Sequence, residues 1–264
     1  MPELPEVETV RAGLEGLLKD AVIVRVEPHR SGLRRPFGDL SALSGPVRAV
    51  RRRAKYLLID AAKATLLSHL GMTGSWRIGD APRAHDHLTL HLADGRRAVF
   101  NDPRRFGLAA LLDAAGHHPV LAGLGPEPLD PAWDGAALRV ALRGRKAAIK
   151  AMIMDQRIVV GVGNIYAQEA LFRSSIRPQR PAGRLDLAAC HRLVAAIKTV
   201  LNEAISVGGS TISDFVHAGG GTGLFQHRFQ VYDRGGQPCV ICGAALRRTA
   251  IAGRTTCWCP RCQR

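Results

Sequence analysis

The chain of 264 residues is long enough for one large or two modest domains with a sizeable core. Thirty-seven Lys and Arg against 22 Asp and Glu give a formal charge of +15, mostly as Arg, which points to a polyanionic partner, nucleic acid ahead of a membrane surface. No run of 18 apolar residues is present for a membrane span and the first 20 residues lack an apolar signal core, so the chain is expected in the cytoplasm with its six cysteines reduced.

The sequence opens MPELPEVETV. Val7, Val10, Leu14, Leu17 and Leu18 fall on one face of a helix, and Pro5 suits its first turn. Glu3, Glu6 and Glu8 crowd its N-terminal end, where the helix dipole favours acids. Short β-rich runs follow at Val22 to Val26, Tyr56 to Ile59, Leu66 to Leu70, His87 to Leu92 and Ala98 to Phe100. Several short strands separated by turn signals predict a sandwich ending near Leu112. The stretch AGHHPVLAGLGPEPLDP reads as a connector.

From Trp133 the period turns helical, with Leu138, Leu142, Ile149, Met152 and Ile153 marking one or two helices interrupted at Gly144. Asn164, just after GVG, is expected to cap a further helix, and Asp186 a long one that stops at Gly208-Gly209. HAGGGTGLFQ reads as a flexible loop, and residues 229–264 as a short, basic, cysteine-bearing tail.

That tail holds CVIC, sixteen intervening residues, then CPRC. Two such knuckles present Cys239, Cys242, Cys259 and Cys262 as four thiolates for one tetrahedral Zn²⁺, a better account than a redox pair because a second CxxC follows so closely. Cys257 competes as a fifth thiol, but its CxC spacing fits a knuckle less well, and Cys190 reads as a small core residue of the long helix. Between the knuckles LRRTAIAGRTTCW predicts a hairpin with Ala252, Gly253 and Arg254 at its turn. Arg254 there is either a solvated charge or a contact to phosphate.

Three more places admit two readings. Asn164 at a helix start is an ordinary cap or an anion site made of backbone N–H groups. In NDPRRFG, Phe106 is a core residue or forms, with Arg104, a wedge that enters a base stack; Met72, between Gly71 and Gly74, suits a protruding tip. His85, His87 and His91 are better placed as surface or phosphate-contacting residues than as ligands of a second metal.

Taken in order, MPELPEVET, RRAKYLL, HLGMTGS, HDH, NDPRRFG, LGPEPL, DQRIVVGVGNIYAQEALF, GGSTISDF, FQVYDR and CPRCQ closely resemble the bacterial formamidopyrimidine-DNA glycosylase family, which excises oxidised purines. The resemblance runs the length of the chain. Endonuclease VIII relatives share the architecture but differ after MPE and at the wedge, where Leu4, Arg104 and Phe106 match the purine-excising branch.

The resemblance implies an α+β multidomain protein: an N-terminal helix with a β-sandwich over residues 1–115, a helix-two-turn-helix domain over 130–225 and a zinc-finger β-hairpin over 229–264. It implies that Met1 is removed, that Pro2 is the amine nucleophile and Glu3 its acid, and that Lys55 and Arg254 assist. DNA contacts are then expected from His69, Met72, His85, Arg104, Phe106, Arg145, Asn164 and Tyr232. The partner is damaged double-stranded DNA, bound by a monomer with one structural Zn²⁺. One departure stands out: GGGTG has glycine where the family's lesion-capping loop often carries lysine, which leaves lesion preference open. The rival readings are an endonuclease VIII-type enzyme for oxidised pyrimidines and a zinc-ribbon DNA-binding protein without catalysis.

Overall fold

The computed structural model describes residues 1–79, 81–210 and 223–264. They form two compact units, one of Met1–Ala122 with Val207–Leu224, the other of Gly123–Ser206 with Phe225–Arg264.

In the first unit, helix α1 spans Leu4–Leu18, with Pro5 in its first turn where a missing N–H costs nothing. Leu4, Val7, Val10, Leu14 and Leu18 are all but fully buried, each contributing roughly 2 kcal/mol on the usual scale for apolar side chains. The strands are β1 (Val22–Pro28), β2 (Gly45–Arg53), β3 (Tyr56–Ala61), β4 (Thr65–His69), β5 (Ser75–Ile78), β6 (Asp86–Leu92), β7 (Arg97–Asn101) and β8 (Leu108–Leu111). Among the described residues they form one sheet in the order β5-β7-β6-β1-β2-β3-β4-β8, antiparallel throughout.

The sheet has two halves, because β1 and β2 share only two residue pairs, Val22 with Pro46 and Ile23 with Gly45. It doubles over at this narrow junction. Trp76 on β5, at one end of the order, donates its Nε1–H to Ser68 Oγ on β4 at 3.0 Å. Leu88, Leu90 and Phe100 of one half join Val50, Ile59 and Leu66 of the other, with the inner face of α1, in a single core. The expected sandwich is therefore present.

Three strands escape the sequence pattern. In β2 the register shifts between Val47 and Ala49 and arginines fill the outward positions, so no clean alternation survives. β5 has only four residues, and β8 is half alanine, a weak strand former.

The second unit carries α2 (Gly135–Ala141), α3 (Ile149–Ile153), α4 (Asn164–Arg173), α5 (Leu187–Ser206) and the hairpin β9 (Arg247–Ile251) and β10 (Arg254–Trp258). Asp186 Oδ1 accepts the N–H of Ala189 at 2.7 Å, as expected of the cap of α5, and Cys190 is fully buried within that helix. Asn164 is not a cap. Gly163 holds that position in extended backbone, and Asn164 is the first helical residue, its side chain free to reach elsewhere.

His87 also corrects the reading from sequence. It points into the core and is fully buried, its Nε2–H donating to Asp102 O at 2.8 Å, and burial lowers the ring's pKa. His91, also on β6, lies 2.6 Å from Glu27 Oε2, a carboxylate that the sequence pattern did not bring to it.

Candidate functional site

The chain start leads directly into helix α1, and burial begins at its second residue. Pro2 is buried, and Glu3, 4% exposed, is the residue immediately before α1. The three acids of the opening stretch part ways here. Glu6 accepts the N–H of Glu3 through Oε2 at 2.9 Å, and through Oε1 the N–H and hydroxyl of Ser210 at 2.7 and 3.0 Å. Glu8 pairs with Arg11 at 2.6 Å and Arg52 at 2.8 Å.

The Glu8 pair has a second consequence. Arg52 also donates to Ala54 O at 2.9 Å, and Ala54 with φ of 54° opens the two-residue turn between β2 and β3 that carries Lys55. Lys55 is thereby fixed as a buried residue at a strand end, 7% exposed. Across the β3–β4 ladder Tyr56 packs on His69 with ring centroids 4.9 Å apart and the planes tilted by 48°. Burial, then the nearby charge of Lys55, push the His69 pKa down to about 4, so the ring is neutral. Its Nδ1 accepts the N–H of Gly71 at 3.0 Å, which leaves the proton on Nε2.

Beyond His69 two loops protrude. Met72, between β4 and β5, is 40% exposed, and Phe106, between β7 and β8, is 48% exposed. Neither is a core residue. Arg104 lies over the Phe106 ring, its guanidinium carbon 4.9 Å from the centroid, so cation and aromatic form one projecting unit. Met1, His69, Met72, Arg105 and Phe106 line one cavity of about 560 Å³, which brings the chain start and both loops to the same concavity. His85 is exposed, with φ of 69°.

In the second unit the four sulfurs of Cys239, Cys242, Cys259 and Cys262 lie within 4.8 Å of one another, with Cys239–Cys262 at 3.9 Å and Cys242–Cys259 at 3.5 Å. Sulfurs at the corners of a tetrahedron about 2.3 Å from a central zinc would be a little under 4 Å apart, so the set fits Zn²⁺. Backbone N–H groups of Ile241 and Cys262 approach the sulfurs of Cys239 and Cys259 at 3.5 and 3.4 Å, as thiolates require. Cys257 is outside the set and buried on β10. The hairpin turn is Ala252-Gly253, both at positive φ, and exposed Arg254 opens β10 just beyond it instead of forming part of the turn.

Helix α4 holds this hairpin. Gln168 Nε2 donates to Thr255 O at 3.2 Å, and its Oε1 accepts the N–H of Cys257 at 2.6 Å. Asn164 Nδ2 reaches the same Thr255 O at 3.3 Å. Fully buried Lys150 donates to Asn164 Oδ1 at 2.5 Å and to Thr256 Oγ1 at 2.7 Å. Arg145 is exposed in the loop between α2 and α3.

Comparison with known proteins decides the family. Residues 1–109 match the formamidopyrimidine-DNA glycosylase N-terminal domain, 124–216 its H2TH domain and 236–264 the zinc finger found in FPG and IleRS. A formamidopyrimidine-DNA glycosylase of Bdellovibrio bacteriovorus is 49% identical and one of Stenotrophomonas maltophilia 48%, each alignment covering 100% of both chains. The chain belongs to the formamidopyrimidine-DNA glycosylase family. Its fold agrees with the MutM (Fpg) protein of Thermus thermophilus, at 41% identity and a TM-score of 0.88 over 99% of this chain and 98% of that one. It also agrees with a variant of the Lactococcus lactis enzyme bound to Fapy-dG containing DNA, at 36% identity and a TM-score of 0.89 over 99% of both. The wild-type L. lactis protein, with the same identity and score, is bound to oxidised pyrimidine containing DNA.

A formamidopyrimidine-DNA glycosylase is a bifunctional DNA glycosylase and AP lyase of base-excision repair, so the reading without catalysis is set aside. The four-cysteine cluster is its structural zinc site. Two buried residues of the family fold went unnoticed in the sequence. Lys150 sits in AIKAMI, where no local pattern marks it as buried. Glu169 is fully buried on α4 and accepts the N–H groups of Gln230, Val231 and Tyr232 at 2.8 to 3.1 Å, fixing half-buried Tyr232 at the entrance to the zinc ribbon. Nothing in QEALF marks that glutamate as buried except its place on the apolar side of α4. The glycine-for-lysine departure in GGGTG falls on residues 219–223, of which only Gly223 lies among the described residues.

Proposed function

We propose that this chain, a glycosylase for oxidised purines, attacks C1′ of the damaged nucleotide with the secondary amine of Pro2 once Met1 has been removed. The carrying observation is the placement of Glu3. It is a buried carboxyl one residue from the amine and immediately before α1, two residues from Met1, which lines the cavity shared with Met72 and Phe106. The Pro2 nitrogen forms a bond to C1′ as the glycosidic bond breaks and the base leaves. The new ammonium loses its proton, Glu3 protonates the sugar ring oxygen, and the C1′–O4′ bond opens to leave a cationic iminium. That iminium has no N–H to lose, so it draws electrons from C2′–H. Loss of that proton expels the 3′ phosphate, and a second elimination releases the other.

In this reading Lys55 and Arg254 assist as proton donor and phosphate clamp. Met72, Arg104 and Phe106 fill the gap left by the flipped nucleotide. His69, His85, Arg145, Asn164 and Tyr232 contact DNA. The work is done by a monomer on damaged duplex DNA in the cytoplasm, with domains near 1–115, 130–225 and 229–264. Zinc, held by the four cysteines, keeps the hairpin folded.

Borohydride reduction on a duplex carrying 8-oxoguanine tests this. A covalent enzyme–DNA adduct is expected, diminished by Pro2→Gly. Undiminished trapping when Met1 is kept by a blocked start would overturn the role of Pro2. A second reading, excision of oxidised pyrimidines, is favoured by the L. lactis complex with such DNA. Faster excision of thymine glycol than of 8-oxoguanine would put that reading first.

A further inference from the structure

Asp102, at the end of β7, is fully buried, yet it is a charged side chain inside a loop-bearing edge of the sandwich. Burial of a carboxylate is expensive unless donors surround it. Its two oxygens serve two different loops. Oδ1 accepts the hydroxyl of Thr73 at 2.6 Å, in the loop that carries Met72. Oδ2 accepts the N–H of Gly107 at 2.7 Å, in the loop that carries Arg104 and Phe106. The Thr73 hydroxyl oxygen accepts in turn the N–H of Arg104 at 3.2 Å, and the Arg105 N–H closes a turn onto Asp102 O at 3.1 Å.

The loops also touch backbone to backbone. Gly71 has φ of +62°, and a Cβ there would fall 2.6 Å from Gly107 N and from the Phe106 carbonyl carbon. A Cβ on Gly107 would fall 2.9 Å from His69 O. Only glycine, which has no Cβ, lets the two backbones run this close together.

We propose that Asp102 is a positioning residue that locks the Met72 loop and the Arg104–Phe106 loop into a single rigid wedge. The inference rests on the reading of Met72, Arg104 and Phe106 as the residues that enter the base stack. A wedge that unstacks bases does work on the duplex, and side chains ordered beforehand lose no conformational freedom at that moment. Asp102 touches no substrate in this account. It acts through Thr73 and Gly107.

The test uses the full-length zinc-loaded protein with Asp102→Asn, which sets an amide against one of the two donors, and Thr73→Val, which removes the bridging hydroxyl without changing side-chain shape. Hydrogen exchange of the free protein should show the amides of residues 71–73 and of Gly107 opening together, about tenfold faster in both variants. Excision of 8-oxoguanine from duplex DNA should slow about tenfold, while cleavage at an abasic site in single-stranded DNA, which needs no wedge, stays within about twofold. Adding Met72→Ala to Asp102→Asn should slow duplex excision no further.

Loosening of one loop without the other, or equal losses on both substrates, would overturn the proposal. Met72→Ala and Phe106→Ala serve as controls. Normal duplex excision in both would sink the wedge reading itself, while the exchange experiment still decides whether Asp102 joins the loops. Should Asp102→Asn fail to fold, Thr73→Val carries both measurements.

Discussion

Glu6 holds the backbone of Glu3 in place. Its Oε2 takes the Glu3 N–H at 2.9 Å, and its Oε1 is occupied twice over by Ser210. Both oxygens of the second glutamate are thus committed to structure, whereas Glu3 stands nearest the proposed nucleophile. MPELPEVETV contains three acids with three different tasks, and only the geometry separates them.

Glu6→Gln replaces one acceptor oxygen by an N–H₂ that faces an N–H donor. Leaving such a buried group unsatisfied costs about 1 to 3 kcal/mol, so the melting temperature should fall by several degrees. Excision should fall with it through displacement of Glu3. Glu3→Gln should instead abolish excision with little change in melting temperature or lesion binding. Calorimetry beside single-turnover excision separates the two; a Glu6→Gln protein of unaltered stability would refute the structural assignment.

The zinc site predicts one metal per chain in protein purified under reducing conditions. Cys239 and Cys259 share a small core with Phe172 of α4, Val231 and Leu246, so chelation should unfold the hairpin and loosen the end of α4 along with it. Cys257→Ser should leave the metal content unchanged, because its sulfur lies outside the four-cysteine cluster. Metal analysis of the variant checks this, and loss of zinc would reassign the ligands.

How far these features were legible depended on range. The helix of the opening stretch, the strands with clean alternation and the two CxxC knuckles are set by residues a few positions apart, and local pattern revealed them. Met72 was legible as a tip because glycines flank it, whereas Phe106 stood open between core and wedge until the structure showed it exposed. Asp102, Lys150 and Glu169 were not legible, because each has at least one partner in a strand or loop distant in the chain. A buried charge and a solvated one look alike in sequence until a fold supplies the donors. His87 failed for a different reason: the register of β6 against β7 shifts between Asp86 and Leu88, so alternation does not hold at the position between them.

His69 makes a prediction about acid. Its folded-state pKa is about 4 against an ordinary 6.5, so between those values the unfolded chain takes up a proton that the fold refuses. The sign follows from linkage: this contribution is fully present above 6.5 and is lost as pH falls towards 4. It amounts to at most about 3 kcal/mol, less whatever solvent screens at this half-buried ring. His69→Asn keeps an acceptor for the Gly71 N–H but cannot titrate. Denaturant unfolding from pH 7 to 4 should therefore show a shallower decline in stability for the variant, and parallel curves would remove His69 as a source of acid sensitivity.

The last prediction separates a cation that meets DNA from one that does not. Arg145 is exposed between α2 and α3, so Arg145→Ala should weaken lesion and undamaged DNA alike, and lower the slope of log affinity against log salt by about one. Lys150 carries the same charge but is fully buried between Asn164 and Thr256. A buried ammonium displaces no counterion from the phosphates. Lys150→Met should therefore lower affinity by removing its bridge between Asn164 and the hairpin, with the salt slope unchanged and the melting temperature reduced. Titrations across a salt series decide between the two roles, and a slope that falls by one in Lys150→Met would place that lysine on the DNA itself.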